Sequence, residues 1–303
     1  MADKFMKSIT FVEGGDAYYP LPKVTNADDG KVLKVVNGSW RLADLVPPIP
    51  YLSFLGNEDF TLKTYNTTKN WDGTLEYSTD AITWNTWNGT EISSAGSKLY
   101  LRGTGNTKIT GSSSNYKFVF AGTDTLKIAC EGNIENLLDY ETVSSGGHPA
   151  MGNYCYRYMF HGCTALTTAP ELPATTLANY CYQNMFYGCT SLTTAPALPA
   201  TTLGNGCYSG MFHGCTALTT APELPATTLA SYCYQNMFYG CSLIKLSTTQ
   251  TGEYQTAYRI PKSGTGTGTT DNGALQNMFT STGGTFKGTP SINTTYYTSN
   301  TVV

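Results

Sequence analysis

CTALTTAPELPATTLANYCYQNMFYGC, residues Cys163 to Cys189, returns as Cys215 to Cys241 with one change, Asn179 to Ser231. The copy between them, Cys189 to Cys215, keeps the 26-residue spacing with more substitutions. A regular period of this kind marks units that bury their apolar faces by stacking on one another. Stacked units present broad, regular faces. Recognition of something large is therefore the first functional expectation.

Within one unit, Leu192 to Pro199 (LTTAPALP) is predicted as an extended edge, with Leu192 and Leu198 pointing inward. Its prolines lack an N–H, so the hydrogen-bonded strand should be short. Thr175 or Thr176, and Thr201 or Thr202 in the next unit, are placed to cap the following segment. There Leu177, Cys181 and Met185 fall at i, i+4 and i+8, which predicts a short amphipathic helix ended by Gly188. Phe186 lies off that stripe, so the helix should distort near it. Gly204, Gly206 and Gly210 should weaken the helix of the third copy, each by ~1 kcal/mol relative to Ala. The register breaks after Cys241 and the motif returns once, at Leu275-Gln276-Asn277-Met278-Phe279, beyond a Gly/Thr-rich stretch, Ser263 to Thr269, that reads as a flexible loop. Residues 254 to 303 read as a divergent last turn and C-terminal cap.

Eight of the nine cysteines fall in two columns with the repeat period: Cys155, Cys181, Cys207, Cys233 and Cys163, Cys189, Cys215, Cys241. A position multiplied by duplication reads as a packing position, where Cys serves as a small buried hydrophobe. Neighbours in one column could approach disulfide geometry, but synthesis in a reducing cytosol opposes it. No C-x₂-C pair occurs, so zinc is not expected.

Upstream, Lys31 to Val36 and Ser39 to Leu42 flank Asn37-Gly38, a strong signal for a two-residue hairpin. Residues 1–46 therefore read as a small N-terminal module, followed by a stiff Pro-rich linker at 47–50. From 51 to 125, short alternating runs separated by Asp72-Gly73, Asn88-Gly89 and Ala95-Gly96 predict an antiparallel β-sandwich, with Trp71, Trp84 and Trp87 partly in its core. Leu126 to Cys130 either closes the sandwich or forms the first strand of the solenoid. In the second case Ile134, Leu137 and Leu138 help to cap the stack. The expected fold is mainly β with short helices: an attachment hairpin, a β-sandwich, and a solenoid with its caps over 126–303.

Charged residues are only 13% of the 303, and the formal net charge is −3, so no basic stripe exists to neutralise phosphates. Nucleic-acid binding is not expected. No run approaches the ~18 apolar residues of a membrane span, so membrane insertion is not expected either. Met1 to Ser8 lacks the apolar core of a secretory signal. Taken as the natural start, it implies synthesis in a cytoplasm and exit by another route, such as lysis.

The element Met-Phe-x-Gly-Cys-x-x-Leu-x-x-Ala-Pro-x-Leu-Pro, at Met159, Met185 and Met211, resembles the BspA-like leucine-rich repeats of bacterial surface proteins. Here Met stands where that family has Ala, the unit is longer, and a further Pro interrupts the strand. The resemblance covers about half of the chain. Leu21 to Leu33, continuing through Val36-Asn37-Gly38-Ser39-Trp40, is similar to the short attachment modules of tailed-phage fibre proteins. Together the two resemblances imply a phage head or tail fibre, or a decoration protein, at the virion surface and extracellular after lysis. The N-terminal module would join other virion proteins, and the repeats would face a host cell-surface protein or polysaccharide. Fibres are usually symmetric, so a homotrimer is expected. A bacterial leucine-rich-repeat adhesin and a ligand-free structural spacer are the alternatives.

His161, Tyr187, His213 and Tyr239 occupy one repeat column. A position that exchanges His for Tyr is not under demand for a general base or a metal ligand. It reads as a half-exposed aromatic, or as an aromatic ladder for glycan or protein. Tyr156, Tyr182, Tyr208 and Tyr234 form a second column that either binds likewise or packs against adjacent turns. Glu171 and Glu223 alternate with Ala197 and read as solvated edge residues rather than a calcium site. Ser78 to Trp84 is similar to a sialidase Asp-box without its Gly, and such boxes are structural turns. No paired carboxylates for glycoside cleavage, phosphate-binding loop, Cys-His pair or nucleophile elbow can be placed. No enzymatic activity and no cofactor are expected.

Overall fold

The computed structural model describes residues 31–36, 39–44, 51–244 and 273–282. The chain is mainly β with one short helix, and forms two compact units, Met1–Pro48 and Ile49–Val303. In the first unit, β1 (Lys31–Val36) pairs antiparallel with β2 (Ser39–Asp44), Val36 lying opposite Ser39. The extended segment at Tyr18 to Pro22, the prolines Pro47 to Pro50, the loop at Ser263 to Thr269 and the cap beyond 282 lie outside the described residues.

The second unit opens with β3 (Leu52–Gly56), β4 (Thr61–Thr64), β5 (Thr74–Ser78), β6 (Asn85–Trp87), β7 (Ile92–Ser93), β8 (Lys98–Thr104), β9 (Phe118–Ala121) and β10 (Ile128–Glu131). These are followed by α1 (Asn136–Ser144) and β11 (Leu166–Thr168). A mixed six-stranded sheet runs β11-β10-β3-β8-β5-β6, and a three-stranded antiparallel sheet runs β7-β4-β9. Alternation on β8 is plain: Leu99 and Leu101 are buried, while Tyr100 and Arg102 lie on the opposite face. The two sheets meet through Phe54 of β3, whose ring lies 6.4 Å from Phe118 and 5.2 Å from Phe120 on β9. Trp71 and Trp87 stack at 5.1 Å in the same core, whereas Trp84 is only half-buried.

β10 has strand partners on both sides. It pairs antiparallel with β3 on one side and parallel with β11 of the repeat region on the other. Phe160 of the first repeat joins the same core, 6.1 Å from Phe118.

The repeats differ from the sequence expectation in one main respect. The segment carrying Leu177, Cys181 and Met185 is not helical, because Tyr180, Asn184 and Gly188 all have positive φ (57°, 54° and 70°). A left-handed residue at every fourth position interrupts α-helix propagation and makes a run of linked turns. Gln183, Met185, Tyr187 and Cys189 donate their N–H groups back to the carbonyls of Tyr180, Tyr182, Asn184 and Phe186. The alternate residues Tyr180, Tyr182, Asn184, Phe186 and Gly188 donate forward, to Asn205, Cys207, Ser209, Met211 and His213 of the next turn. Every second N–H thus ties one turn to its neighbour, and the backbone is satisfied without helix or strand.

The pattern repeats from turn to turn, and Gly206, Gly210 and Gly214 occupy the left-handed positions of the third one (57°, 61° and 72°). Those glycines therefore fit the turn rather than weaken a helix. A Cβ on Gly206 would also come within 2.5 Å of the Tyr180 ring, which lies over it.

Phe186 is buried rather than a site of distortion, with its ring 5.6 Å from both Phe160 and Phe212. Leu192 and Leu198 are buried as read from the sequence. Their edge carries little ladder: β11 spans three residues, and Thr194 pairs with Thr220 through an isolated bridge. The threonines expected as caps link turns instead, since Thr201 and Thr202 both donate N–H to the Thr175 carbonyl. The first turn is covered by the sheet region. Cys155 and Met159 carbonyls accept from the N–H groups of Ile109 and Phe118, and the Arg157 carbonyl accepts from Thr110 Oγ1. At the far end residues 273–282 form one more turn, with Phe279 5.5 Å from Phe238.

All nine cysteines are buried and free. Cys189, Cys215 and Cys241 donate Sγ–H to the carbonyls of Phe160, Phe186 and Phe212 in the preceding turn, at 3.1, 3.1 and 2.9 Å. The column is a set of small apolar groups that also fasten turn to turn.

Candidate recognition face

Each turn places one aromatic residue immediately before its last left-handed glycine: His161 before Gly162, Tyr187 before Gly188, His213 before Gly214 and Tyr239 before Gly240. The fixed backbone repeat puts these rings in register. Centroids lie 4.6 Å apart for His161–Tyr187, 4.3 Å for Tyr187–His213 and 4.6 Å for His213–Tyr239, with interplanar angles below 10°. All four side chains are half-buried. The spacing is tighter than the 5.5–5.7 Å of the phenylalanine column inside the stack.

Burial lowers the His161 imidazole below its ordinary value of 6.5, and the Lys117 ammonium lowers it further. His213 is lowered by burial as well. Both rings are therefore neutral at neutral pH. Their Nδ1 atoms are buried and without a hydrogen-bond partner. Because ring faces cover one another, what the column offers outward is edges: tyrosine hydroxyls alternating with imidazoles, which together donate and accept hydrogen bonds without net charge. At the His161 end, Lys117, Gly162 and Thr164 help to line a small cavity of 120 Å³.

The second column lies inside the stack, as its packing alternative has it. Tyr156, Tyr182, Tyr208 and Tyr234 are at most 2% exposed and stack on one another at 5.6–5.9 Å. They follow the first cysteine of each turn and so face the interior, where Tyr156 Oη donates to the Ile134 carbonyl. Burial pushes the phenols of Tyr156, Tyr182 and Tyr208 well above the ordinary range. They pack against one another inside the stack.

Glu171 is exposed and tied to the cap through its backbone, donating to Gly132 and accepting from Ile134. Among the described residues no group of three or more His, Cys, Asp or Glu is placed to hold a metal. The Asp-box-like segment is a closed turn: Asp80 accepts from the N–H groups of Ile82 and Thr83 and from Ser78 Oγ.

Two clusters were not singled out from sequence. Arg102 lies 4.1 Å over Trp84 and 4.4 Å over Tyr140 while bonded to Glu76 at 2.8 Å, a self-contained group on the outer sheet face. Glu135 and His148 meet at 2.7 Å beside a cavity. Thirteen residues separate them, a distance with no motif behind it, so only the fold reveals the pair. No helix among the described residues is long and apolar enough to cross a membrane. Neither a protein family, a curated protein nor a solved structure matches this chain.

Proposed function

We propose that the chain is a non-enzymatic surface-recognition protein, a fibre or decoration protein of a tailed-phage virion. In this reading the repeat stack is a solenoid of leucine-rich-repeat type and the sheets before it are a β-sandwich that covers its first turn. The observation that carries the reading is the regular, half-buried His161–Tyr187–His213–Tyr239 column. Aromatic edges fixed by the backbone lose little conformational entropy on contact, and alternating hydroxyl and imidazole groups suit a neutral polar polymer such as a host polysaccharide. Each contact is weak, and a homotrimer joined to the particle through residues 1–46 would gain avidity by engaging several copies. The virion assignment rests on the sequence resemblance of Leu21 to Trp40.

A ligand-free spacer is the second reading, favoured by the ring faces being occupied by one another. Immunogold electron microscopy with an antibody to the repeats, on phage lysates and on intact producing cells, tests the virion assignment. Label on particles is expected. Label confined to cell envelopes would replace it with a bacterial adhesin.

A further inference from the structure

Glu135 immediately precedes α1, where a carboxylate is usually turned toward the free N–H groups of the first helical turn. Its side chain makes no such capping bond. It is 1% exposed, with Oε2 2.7 Å from Nδ1 of His148, a residue whose side chain is 58% exposed. A buried carboxylate is costly to keep unless it is paired, and here the partner is an imidazole that could otherwise stand in water. Burial raises the acid above its ordinary value, while His148 pulls it back. Pairs of this kind gather at sites where a side chain must be held in one orientation.

The pair sits at a cavity of 390 Å³ lined by Pro149, Met151, Ala174, Leu177 and the exposed Thr175 and Thr176. Small-molecule sites run from roughly 300 to 1,000 Å³ and combine mostly apolar walls with a few convergent polar groups. No Lys or Arg lines this cavity, and the one histidine there is already engaged by the Glu135 carboxylate, which opposes an anionic ligand. With Nδ1 engaged, His148 retains Nε2 on the opposite edge of its ring. Nε2 accepts when the neutral ring gives its one hydrogen to Glu135, and donates when the ring carries both hydrogens or when the proton lies on Glu135 and Nδ1 accepts it. A hydroxyl both donates and accepts, and so matches either arrangement.

We infer that this cavity is a binding site for a neutral, hydroxyl-bearing ring, a single saccharide unit, held by His148 Nε2 with its C–H face against Met151 and Leu177. The inference does not depend on the aromatic column, which lies elsewhere on the stack and shares no lining residue with the cavity. Glu135 is a positioning residue that fixes the imidazole.

The test is NMR of the histidine side chains in the full chain, titrated with methyl glycosides of glucose, galactose, mannose and N-acetylglucosamine. Only three histidines are present, so the His148→Phe variant assigns its signal directly. One glycoside at least should shift the His148 resonance saturably while His161 and His213 stay still. His148→Phe should abolish binding measured by calorimetry, and Glu135→Gln should weaken it about tenfold, near 1.4 kcal/mol. The His148 shift in the wild-type chain, with its signal assigned through the backbone, tests the idea even if either variant fails to fold. Absence of any saturable His148 shift across the panel, or calorimetric binding unchanged in His148→Phe, would overturn the assignment.

Discussion

Residues 51–131 and the turns over 154–244 and 273–282 share a continuous aromatic core yet satisfy their backbones in different ways. The first region uses paired strands in fixed register, as in the five residue pairs between β5 and β8. The second uses left-handed residues at four-residue intervals, local three-residue-back bonds and forward bonds to the next turn. A strand tolerates many side chains at each position. The turn ladder does not: its left-handed positions hold Tyr, Asn, Gly or Ser, and its interior holds the same Cys, Tyr, Met and Phe in the first four turns, with Ala274 and Leu275 replacing Cys and Tyr in the last. Near-identical repeats are what such a constraint produces.

Alkaline pH should separate the two regions most strongly. Eight of the nine thiols lie in the turns, where burial pushes Cys163 up to about 11 and Cys233 and Cys241 up to about 12, from an ordinary value of 9.0. A folded-state value raised above the unfolded one gives stability that is complete below the unfolded value and lost as pH rises toward the folded one. Each thiol should then cost stability progressively as pH rises from about 9 toward its folded value. Circular dichroism with reductant present should find loss of structure beginning above pH 9, and Cys-to-Ala replacement in the columns should flatten that slope. At neutral pH none of the thiols should react with Ellman's reagent before unfolding.

Phe186→Ala comes next. It removes a ring with partners on both faces and should cost about 3–5 kcal/mol by urea unfolding. The lost stability should be felt first in exchange of the amides of neighbouring turns, and last in those of β3 and β8.

Gly206→Ala gives the sharpest contrast in sign. In the helix expected from sequence it would stabilise by up to ~1 kcal/mol. In a turn with φ of 57° and a Tyr180 ring overhead it should destabilise, by about 1–2 kcal/mol. Gly206→Ala combined with Tyr180→Ala should recover the part due to the clash.

Acidification has the smallest effect. His161 and His213 are lowered by burial, so their contribution is complete above the ordinary 6.5 and is lost as pH falls through their folded values. Mild loosening of the column below pH 6.5 should be visible as increased tyrosine fluorescence quenching by acrylamide, and absent when both histidines are replaced by Tyr.

The repeat period, the cysteine columns and the anchors Leu192 and Leu198 were legible because spacing alone carries them. The local conformation was not. Leu177, Cys181 and Met185 satisfy a helical stripe, but four-residue periodicity is shared by the α-helix and by turns that reverse at every fourth residue. What could have distinguished them is the third copy, where Gly206, Gly210 and Gly214 stand four apart at the places held by Tyr180, Asn184 and Gly188. Glycines at regular intervals point to positive φ more than to a weakened helix. The His/Tyr column was legible as a column, but its exposure, against the burial of Tyr156 to Tyr234, depends on which way each turn faces. The Glu135–His148 pair depends wholly on tertiary placement.

The proposal that the His161–Tyr187–His213–Tyr239 edge recognises a host-surface polymer is most directly tested by binding of the purified chain to host cells and their isolated polysaccharide. Wild type should be compared with Tyr187→Ala, and with Ile82→Ser as a control at a residue 82% exposed and far in sequence from the column. The account predicts at least a tenfold loss, about 1.4 kcal/mol, for Tyr187→Ala and none for Ile82→Ser. Equal binding by all three, with Tyr187→Ala altering only thermal stability, would contradict it and leave the column as a structural spacer.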